Sequence, residues 1–363
     1  MTSKPTIRPE AGLQTAGCAV DLFEVTPQSE DHLHPRFRML RDRAEFAPAR
    51  SLLRQVHAPA FRETQRHFVE RFQGADFDGA LFELFLFALF SAAGHQVDLR
   101  HRDPAFLLTM RNESAAVDAL TVGSPTTGVE PDAQAPQGAS SKPQSHGVGG
   151  SLFRKLHRRQ WRRPHVQGRP FVVAVQDFDH LELPQGAPPS AILGFLFGGP
   201  SQSREVRELF PDGFFGQQEA EHVSAILFCN DATIAKFNRI GQESQGGDAA
   251  RMLRHGTCLA GTCGPSTSTG YVYEVGERGS DREQWNEGTV LIHNPYALHP
   301  LPTDWLGASA EIELRDARLC EHFARGFHPF SSITELLAAN TPAWWIEQRA
   351  RLLAQELKLH PPA

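Results

Sequence analysis

A single acidic residue stands inside the most apolar stretch of the chain, Ala80 to Phe90. The sequence A-L-F-E-L-F-L-F-A-L-F surrounds Glu83 with ten apolar residues. This composition predicts a helix with neighbours on nearly every side. A buried carboxylate is costly unless it takes up a proton or lies beside a cation or a metal ion. Glu83 is therefore the first candidate for chemistry, and the alternative is that one open edge of the helix lets it reach water.

The segments after Glu83 predict the elements that would position other polar groups around it. The helix is expected to span 77–93, with Gly94 as its C-terminal stop. Short strands, a turn at 111–113, a further helix and another strand follow. The predicted segments are strands at 96–100, 104–110, 115–121 and 171–175 and a helix at about 151–163. This order favours a mixed α/β protein with one central sheet.

The motifs in this region resemble a known group of proteins. F-D-G-A-L-F-E-L-F-L-F-A-L-F-S-A-A-G at 77–94, then D-P-A-F-L-L and A-V-D-A-L-T-V-G-S-P, are similar to an uncharacterised bacterial family. The core of that family resembles the restriction endonucleases, or PD-(D/E)XK nucleases. P-D-G-F-F and the segments 219–240 and 293–302 look similar to its later blocks, so the resemblance covers most of residues 75–305. It implies a restriction-endonuclease-like core, a mixed central sheet flanked by helices, with a C-terminal strand and helix elaboration.

The resemblance also implies a metal site. Nucleases of this type hold Mg²⁺ with carboxylates, and the metal activates water while a lysine supports the attacking hydroxide. Glu83 matches the helix glutamate and Asp118 the acid of the third strand, so these two residues would be the metal ligands. The family's Pro-Asp aspartate falls on Ala105 and its lysine on Leu120. The resemblance therefore implies a partly degenerate active site.

Two other residues are candidates to replace the missing groups. Asp103 shares a strand face with Ala105, because side chains alternate along a strand. Lys155, at the start of the following helix, could supply the lysine from another element. The alternatives are a solvated turn residue for Asp103, an outward-facing residue of an edge strand for Asp118, and a member of a solvated basic helix for Lys155.

A basic segment follows, between Ser151 and Pro170. It carries seven basic residues and no acid: Arg154, Lys155, Arg158, Arg159, Arg162, Arg163 and Arg169. In a chain of formal net charge -6, such a run creates a local positive field that can hold the phosphates of DNA or RNA. Trp161 is predicted to stack on a base. The alternative is a solvated helix face.

Two further groups of residues carry weaker signals. His255, Cys258 and Cys263 resemble half of a zinc site, without a second pair at matching spacing. His293 and His299 flank a turn at Asn294-Pro295, where they either line a pocket or have a structural role. The sequence contains no P-loop, nucleophile elbow or dinucleotide fingerprint.

The composition and the character of the segments also predict the cellular location and the domain organisation. Five cysteines, an odd number, predict a reducing cytoplasm, and we expect neither a signal peptide nor a membrane segment. The predicted organisation of the 363 residues is a helical and irregular region at 1–74, a nuclease-like core at 75–240 and C-terminal strands and a helix at 241–363. Residues 122–150 are expected to be a disordered insertion.

These observations leave three hypotheses open. The preferred one is a nuclease-like protein that binds nucleic acid with weak or lost phosphodiesterase activity. The second is an active Mg²⁺-dependent nuclease that uses Glu83, Asp118, Asp103 and the displaced Lys155. The third is a scaffold that binds another protein without catalysis.

Overall fold

The structure is a computed structural model that describes most of the chain. The described residues are 21–25, 30, 32–60, 65–101, 103–123, 148–177, 190–198, 212–229, 231–245, 250–260, 267–276, 283–316, 318–323, 327–329 and 331–359. Most of the predicted insertion at 122–150 lies outside these residues. Its first two residues belong to the end of a strand and the following bend, and its last three begin a helix.

Eight α-helices are described in these ranges. They are α1 Pro35–Asp42, α2 Ala47–Ala60, α3 Gln65–Gln73, α4 Phe77–Ala92, α5 Val148–Arg158, α6 Ser190–Phe197, α7 Ile234–Gln245 and α8 Ala343–Leu359. The predicted helix around Glu83 is confirmed as α4, and Gly94 follows it with a positive φ of 92°. A glycine adopts that conformation without steric cost, which suits it to end a helix.

The twelve described strands form two sheets. They are β1 Gln96–Asp98, β2 Phe106–Met110, β3 Glu113–Val122, β4 Phe171–Asp177, β5 Ala225–Cys229, β6 Ala250–Ala260, β7 Thr267–Glu274, β8 Thr289–His293, β9 Ala310–Arg315, β10 Arg318–Phe323, β11 Phe327–Pro329 and β12 Ile333–Ala338. The larger sheet has the order β1-β2-β3-β4-β5-β8-β9-β10. In the smaller sheet, β6 pairs with β7, β11 and β12.

The large sheet is mixed. Strands β1, β2 and β3 form an antiparallel meander, β3, β4 and β5 run parallel, and β8 lies antiparallel to β5. The turn between β2 and β3 places Arg111 and Asn112 at positive φ, as a tight hairpin turn requires. The mixed α/β class with a central sheet flanked by helices is therefore confirmed.

Helices cover both faces of the large sheet. Helices α1 to α4 and α7 pack on one face, where they contact Ala115 and Val117 of β3. Helices α5 and α6 pack on the other face, where they contact Ala116 and Val122. We call these the α4 face and the α5 face. The apolar residues of β4 and β5 contribute to both clusters, which explains why these central strands have continuous apolar sequences.

Several sequence predictions differ from the structure. The sequences of residues 21–25 and 233–238 predict short strands, but residues 21–25 form a turn and residues 233–238 lie in and just before α7. The alternation in that segment is too short to exclude a helix, and its apolar residues pack against α2 and α4. The single predicted sheet is in fact two sheets. The predicted boundary at 240 falls inside α7, and β8 to β10 extend the central sheet beyond it.

A buried ionic cluster joins α7 to the smaller sheet. Arg239 of α7 contacts Glu283 and Asp231, with Arg239 Nε 2.7 Å from Glu283 Oε2. Arg254 of β6 also contacts Glu283, at 3.3 Å, and Lys236 lies 3.5 Å from Asp231. The side chains of Lys236, Arg239, Arg254 and Glu283 have no exposed surface. Opposite charges compensate one another here, as buried charges require.

Candidate functional site

Glu83 has a guanidinium partner. Arg71 of α3 donates to Glu83 through two nitrogens, Nη2 to Oε1 at 2.6 Å and Nη1 to Oε2 at 3.1 Å. The Glu83 side chain is 15 % exposed, so the acid is largely buried, as its apolar surroundings predict. Burial raises the pKa of Glu83, the Arg71 guanidinium opposes that rise, and the charges of Asp76 and Asp118 add to it. The cation that the sequence demands beside Glu83 is therefore an arginine.

Asp118 also has a cation of its own. It lies within β3 and is 4 % exposed, and the Lys155 ammonium contacts its Oδ2. Lys155 Nζ also donates to the carbonyl oxygen of Ala119 at 3.0 Å. The side chain of Lys155 is only 12 % exposed. Lys155 is thus not part of a solvated face, and Asp118 lies on an inner strand and not on an edge strand.

The large sheet separates Glu83 from Asp118. Residues 115 and 117 of β3 contact the α4 cluster and residue 116 contacts the α5 cluster, so alternation directs Asp118 to the α5 face. Lys155, which comes from α5, agrees with that direction. Glu83 belongs to α4, on the opposite face.

Asp103 forms hydrogen bonds with Gln160 and Arg163. Its carboxylate accepts from Gln160 Nε2 and from Arg163 Nη2, the latter at 3.1 Å. Among the described residues, Glu83, Asp103 and Asp118 do not form a group of three with ligand atoms within 4.8 Å of one another. In this structure Glu83 and Asp118 are paired with the cations of Arg71 and Lys155, in place of the Mg²⁺ ion that the family resemblance implies.

The arginines of the basic segment lie on the surface. Arg154, Arg158, Arg159, Arg162, Arg163 and Arg169 are all exposed. The helix ends earlier than predicted, since Arg159 adopts a left-handed φ of 48° and a 3-10 turn follows at Gln160–Arg162. This break turns the chain and distributes the arginines over a loop as well as a helix.

The ion pairs of these arginines differ. Arg159 and Arg162 both contact Glu219, at 2.8 and 3.1 Å, with side chains 50 % and 60 % exposed. Within the described ranges, Arg158 and Arg169 form no ion pair. Surface ion pairs of this kind are weak, so each guanidinium keeps most of its capacity to contact a phosphate.

Trp161 does not lie on the surface, and the predicted base stacking is wrong. It is 6 % exposed and belongs to the α5-face core, where its ring stacks on His222 at 4.9 Å between centroids. The sequence placed it among arginines, but the 3-10 turn directs Gln160 and Trp161 inward while the arginines point outward. Its role is packing.

His255 and Cys258, the described members of the half zinc site, belong to no group of three ligand atoms among the described residues. Cys258 is buried, and burial raises the pKa of its thiol to about 11, which disfavours the thiolate that binds zinc. His255 lies 3.7 Å from Glu335. Cys263 lies outside the described residues.

Sequence reasoning missed two sets of residues. Arg71, the partner of Glu83, belongs to a separate helix, and no local pattern singles it out from other surface arginines. Glu311 and Glu313 approach His293 in the folded chain. Alternating acids on a predicted strand were the available signal, but such acids usually face solvent.

Comparison with known proteins gave no match to a family model, a curated protein or a solved structure. Across the described ranges, none of the helices combines the length and the apolar character needed to cross a membrane.

Proposed function

We propose that this protein is a nuclease-like nucleic-acid-binding protein whose phosphodiesterase activity is weak or lost. The order of elements supports the restriction-endonuclease-like core. Helix α4 precedes the antiparallel strands β1, β2 and β3, and α5 then crosses to β4, which lies parallel to β3. A helix with an embedded glutamate, a hairpin, a second helix and a further strand is the layout of that core.

The observation that carries the binding function is the exposed basic segment. Six arginines of residues 154–169 reach solvent, and residues 151–170 contain no acid. Guanidinium groups suit phosphates because they donate in a planar, bidentate geometry. The buried position of Trp161 leaves the backbone of the nucleic acid as the main target, so we expect binding with little sequence preference and strong salt dependence.

The partners of the two acids support the loss of catalysis. Arg71 occupies both oxygens of Glu83, and Lys155 contacts Asp118. Each cation supplies locally the positive charge that a metal ion would bring. The two acids also lie on opposite sides of the sheet, which argues against one ion bridging them.

The binding half of the proposal is tested by fluorescence anisotropy. The probes are single- and double-stranded DNA and RNA of equal length, at several salt concentrations. Arg158→Ala/Arg169→Ala removes two exposed charges of the segment that form no ion pair with the described residues, and Arg318→Ala/Arg351→Ala removes two exposed charges elsewhere. We expect the first variant to weaken binding and reduce the salt slope by about 2, since each lost phosphate contact reduces it by about one. Equal effects of the two variants would contradict the proposed interface.

The catalytic half is tested on the same nucleic acids with Mg²⁺ or Mn²⁺ and with EDTA. We expect no metal-dependent cleavage by the wild-type chain. Cleavage that is lost in Glu83→Ala would establish the active nuclease instead. Absence of binding to every probe would favour the protein-interaction scaffold.

A further inference from the structure

We propose that His293, Glu311 and Glu313 form a binding site for one divalent transition-metal ion. Each residue offers a ligand atom, and these atoms all lie within 4.8 Å of one another. No other group of three such side chains meets this distance within the described ranges. This inference is independent of the nucleic-acid function, because it concerns different strands and different side chains.

Neighbouring strands position the three residues. Strands β8 and β9 run parallel, with Ile292 opposite Ile312, so His293 lies beside Glu313 at the end of β8. Glu311 lies two residues before Glu313 and therefore on the same face. Ile292, Ala310 and Ile312 contact the α5-face core, which directs His293, Glu311 and Glu313 to the opposite face.

Glu311 is the buried member of the group. Its side chain is 3 % exposed, and its carboxylate lies 3.0 Å from His293 Nε2 and accepts from the Asp304 backbone N–H at 3.1 Å. Among the described residues it has no lysine or arginine within 4.0 Å, unlike Glu83, Asp118 and Glu283. A buried carboxylate usually pairs with a full positive charge or a metal. A cation between His293 and the two glutamates would supply that charge.

Glu313 is a suitable second oxygen ligand. The Thr303 hydroxyl donates to Oε1 at 2.8 Å and Arg315 Nε to Oε2 at 2.7 Å. The Thr303 contact leaves a lone pair on Oε1, since each carboxylate oxygen accepts about two bonds, whereas Oε2 contacts both Nε and Nη2 of Arg315. These contacts orient the Glu313 carboxylate.

A pocket gives an ion access to the two glutamates of the group, and His293 is not part of its lining. Its volume is about 230 Å³, and Glu311 and Glu313 line it together with Thr303, Asp304, Glu321 and His322. This space admits an ion that keeps one or two water ligands. The surplus of carboxylates around the pocket attracts cations, and the single arginine of the lining, Arg315, is bound to Glu313.

The donor set selects the kind of metal. One imidazole nitrogen and two carboxylate oxygens suit zinc, manganese or iron(II), whereas Mg²⁺ and Ca²⁺ prefer ligand sets made of oxygen alone. Among first-row divalent ions we expect Zn²⁺ to bind more tightly than Mn²⁺, following the usual order of affinities.

The proposed metal site is separate from the predicted nuclease site. One row of paired residues runs across the sheet from Asp118 of β3 to Ile312 of β9. The residues between them are Val173 of β4, Ile226 of β5 and Ile292 of β8. Strands β3 and β9 are four strand spacings apart, or about 19 Å. Asp118 and the proposed metal site also lie on opposite faces of the sheet.

The experiment is calorimetric titration of the EDTA-treated and dialysed full chain with Zn²⁺, Mn²⁺ and Mg²⁺ in separate runs. His293→Ala and Glu313→Gln each remove one ligand. Glu321→Gln and His322→Ala remove an acid and an imidazole of the same pocket that are not ligands. We expect the wild type to bind Zn²⁺ at this site and each ligand variant to lose that binding or to weaken it by about tenfold or more. The two control variants should bind as the wild type does.

A spectroscopic readout covers the case in which a ligand variant does not fold. Co²⁺ bound to the wild-type chain should give visible d–d absorption that Zn²⁺ displaces. Circular dichroism of each metal-free variant reports whether it is folded. If His293→Ala does not fold, the Glu313→Gln variant, which changes the more exposed ligand, provides the test. Absence of both Zn²⁺ binding and the Co²⁺ spectrum in the wild type would overturn the proposal. Equal losses in the ligand and control variants would do the same.

Discussion

The Lys155 ammonium on helix α5 contacts the Asp118 carboxylate on strand β3, and both side chains are nearly buried, at 12 % and 6 % exposed. The two residues are 37 positions apart, and the segment between them includes the chain from 124 to 147. The pair fastens α5 to β3, the last strand of the meander. It also places a lysine beside the strand acid, as the nuclease resemblance requires, but from a different element.

We predict that breaking this pair on one side destabilises the fold strongly. Lys155→Met leaves a buried carboxylate without its cation, which costs about 3–5 kcal/mol of unfolding free energy. Lys155→Met/Asp118→Asn removes both charges and should recover a large part of that loss. Urea unfolding followed by circular dichroism measures both. A single-variant cost below about 1 kcal/mol would mean that water solvates the pair.

The burial of His328 predicts that the free energy of unfolding depends on pH. His328 is 2 % exposed, its Nδ1 lies 2.8 Å from the Ser309 hydroxyl, and burial lowers its pKa to about 4 from 6.5, aided by the charge of Lys236. Between these two pH values the unfolded chain binds a proton that the folded chain does not. The contribution of His328 is therefore full above pH 6.5 and is lost as the pH falls to 4, by up to about 3 kcal/mol.

Unfolding of the wild type and of His328→Gln at pH 7, 6, 5 and 4 measures this effect. We expect the slope of stability against pH to be shallower in the variant. His322→Gln is the matched control, because the side chain of His322 is 61 % exposed, and its slope should equal that of the wild type. Parallel curves for the wild type and His328→Gln would contradict the prediction.

Glu283 is predicted to be essential for the buried ionic cluster. Burial alone would raise its pKa, but the charges of Arg239, Arg254 and Lys236 outweigh burial and lower the pKa to about 2. Glu283→Gln leaves these buried cations with less opposing charge and should cost about 3–5 kcal/mol of unfolding free energy. Glu347→Gln removes a glutamate that is 67 % exposed and paired with Arg351. That control should change the free energy of unfolding by no more than about 0.5 kcal/mol. Equal costs for Glu283→Gln and Glu347→Gln would contradict the prediction that Glu283 is essential for the cluster.

Trp161 is predicted to contribute to stability and not to binding. Trp161→Phe keeps an aromatic ring against Phe171 and His222, so nucleic-acid affinity should be unchanged while the free energy of unfolding falls moderately. Trp161→Ala creates a cavity and should cost about 3–5 kcal/mol. Anisotropy and urea unfolding measure the two properties separately. A loss of affinity in Trp161→Phe without a loss of stability would restore the base-stacking hypothesis.

The sequence by itself determined the elements whose patterns are local. The apolar run around Glu83 required a covered helix, and Arg111 and Asn112 lie in the tight turn that the flanking strands predicted. The same run also predicted that Glu83 would take up a proton, pair with a cation or reach water, because an isolated buried carboxylate is too costly in any fold. Periodicity and burial cost are properties of a few neighbouring residues, so the sequence states them directly.

Only the tertiary structure decided which groups meet. It gave Glu83 the guanidinium of Arg71, gave Asp118 the ammonium of Lys155, and put the sheet between the two acids. It turned Trp161 into the core and brought His293 beside Glu311. A one-residue change of strand register, or one different helix packing, reverses each of these outcomes without altering any local pattern. The partners of a buried charge therefore follow from the packing of segments that are distant in sequence.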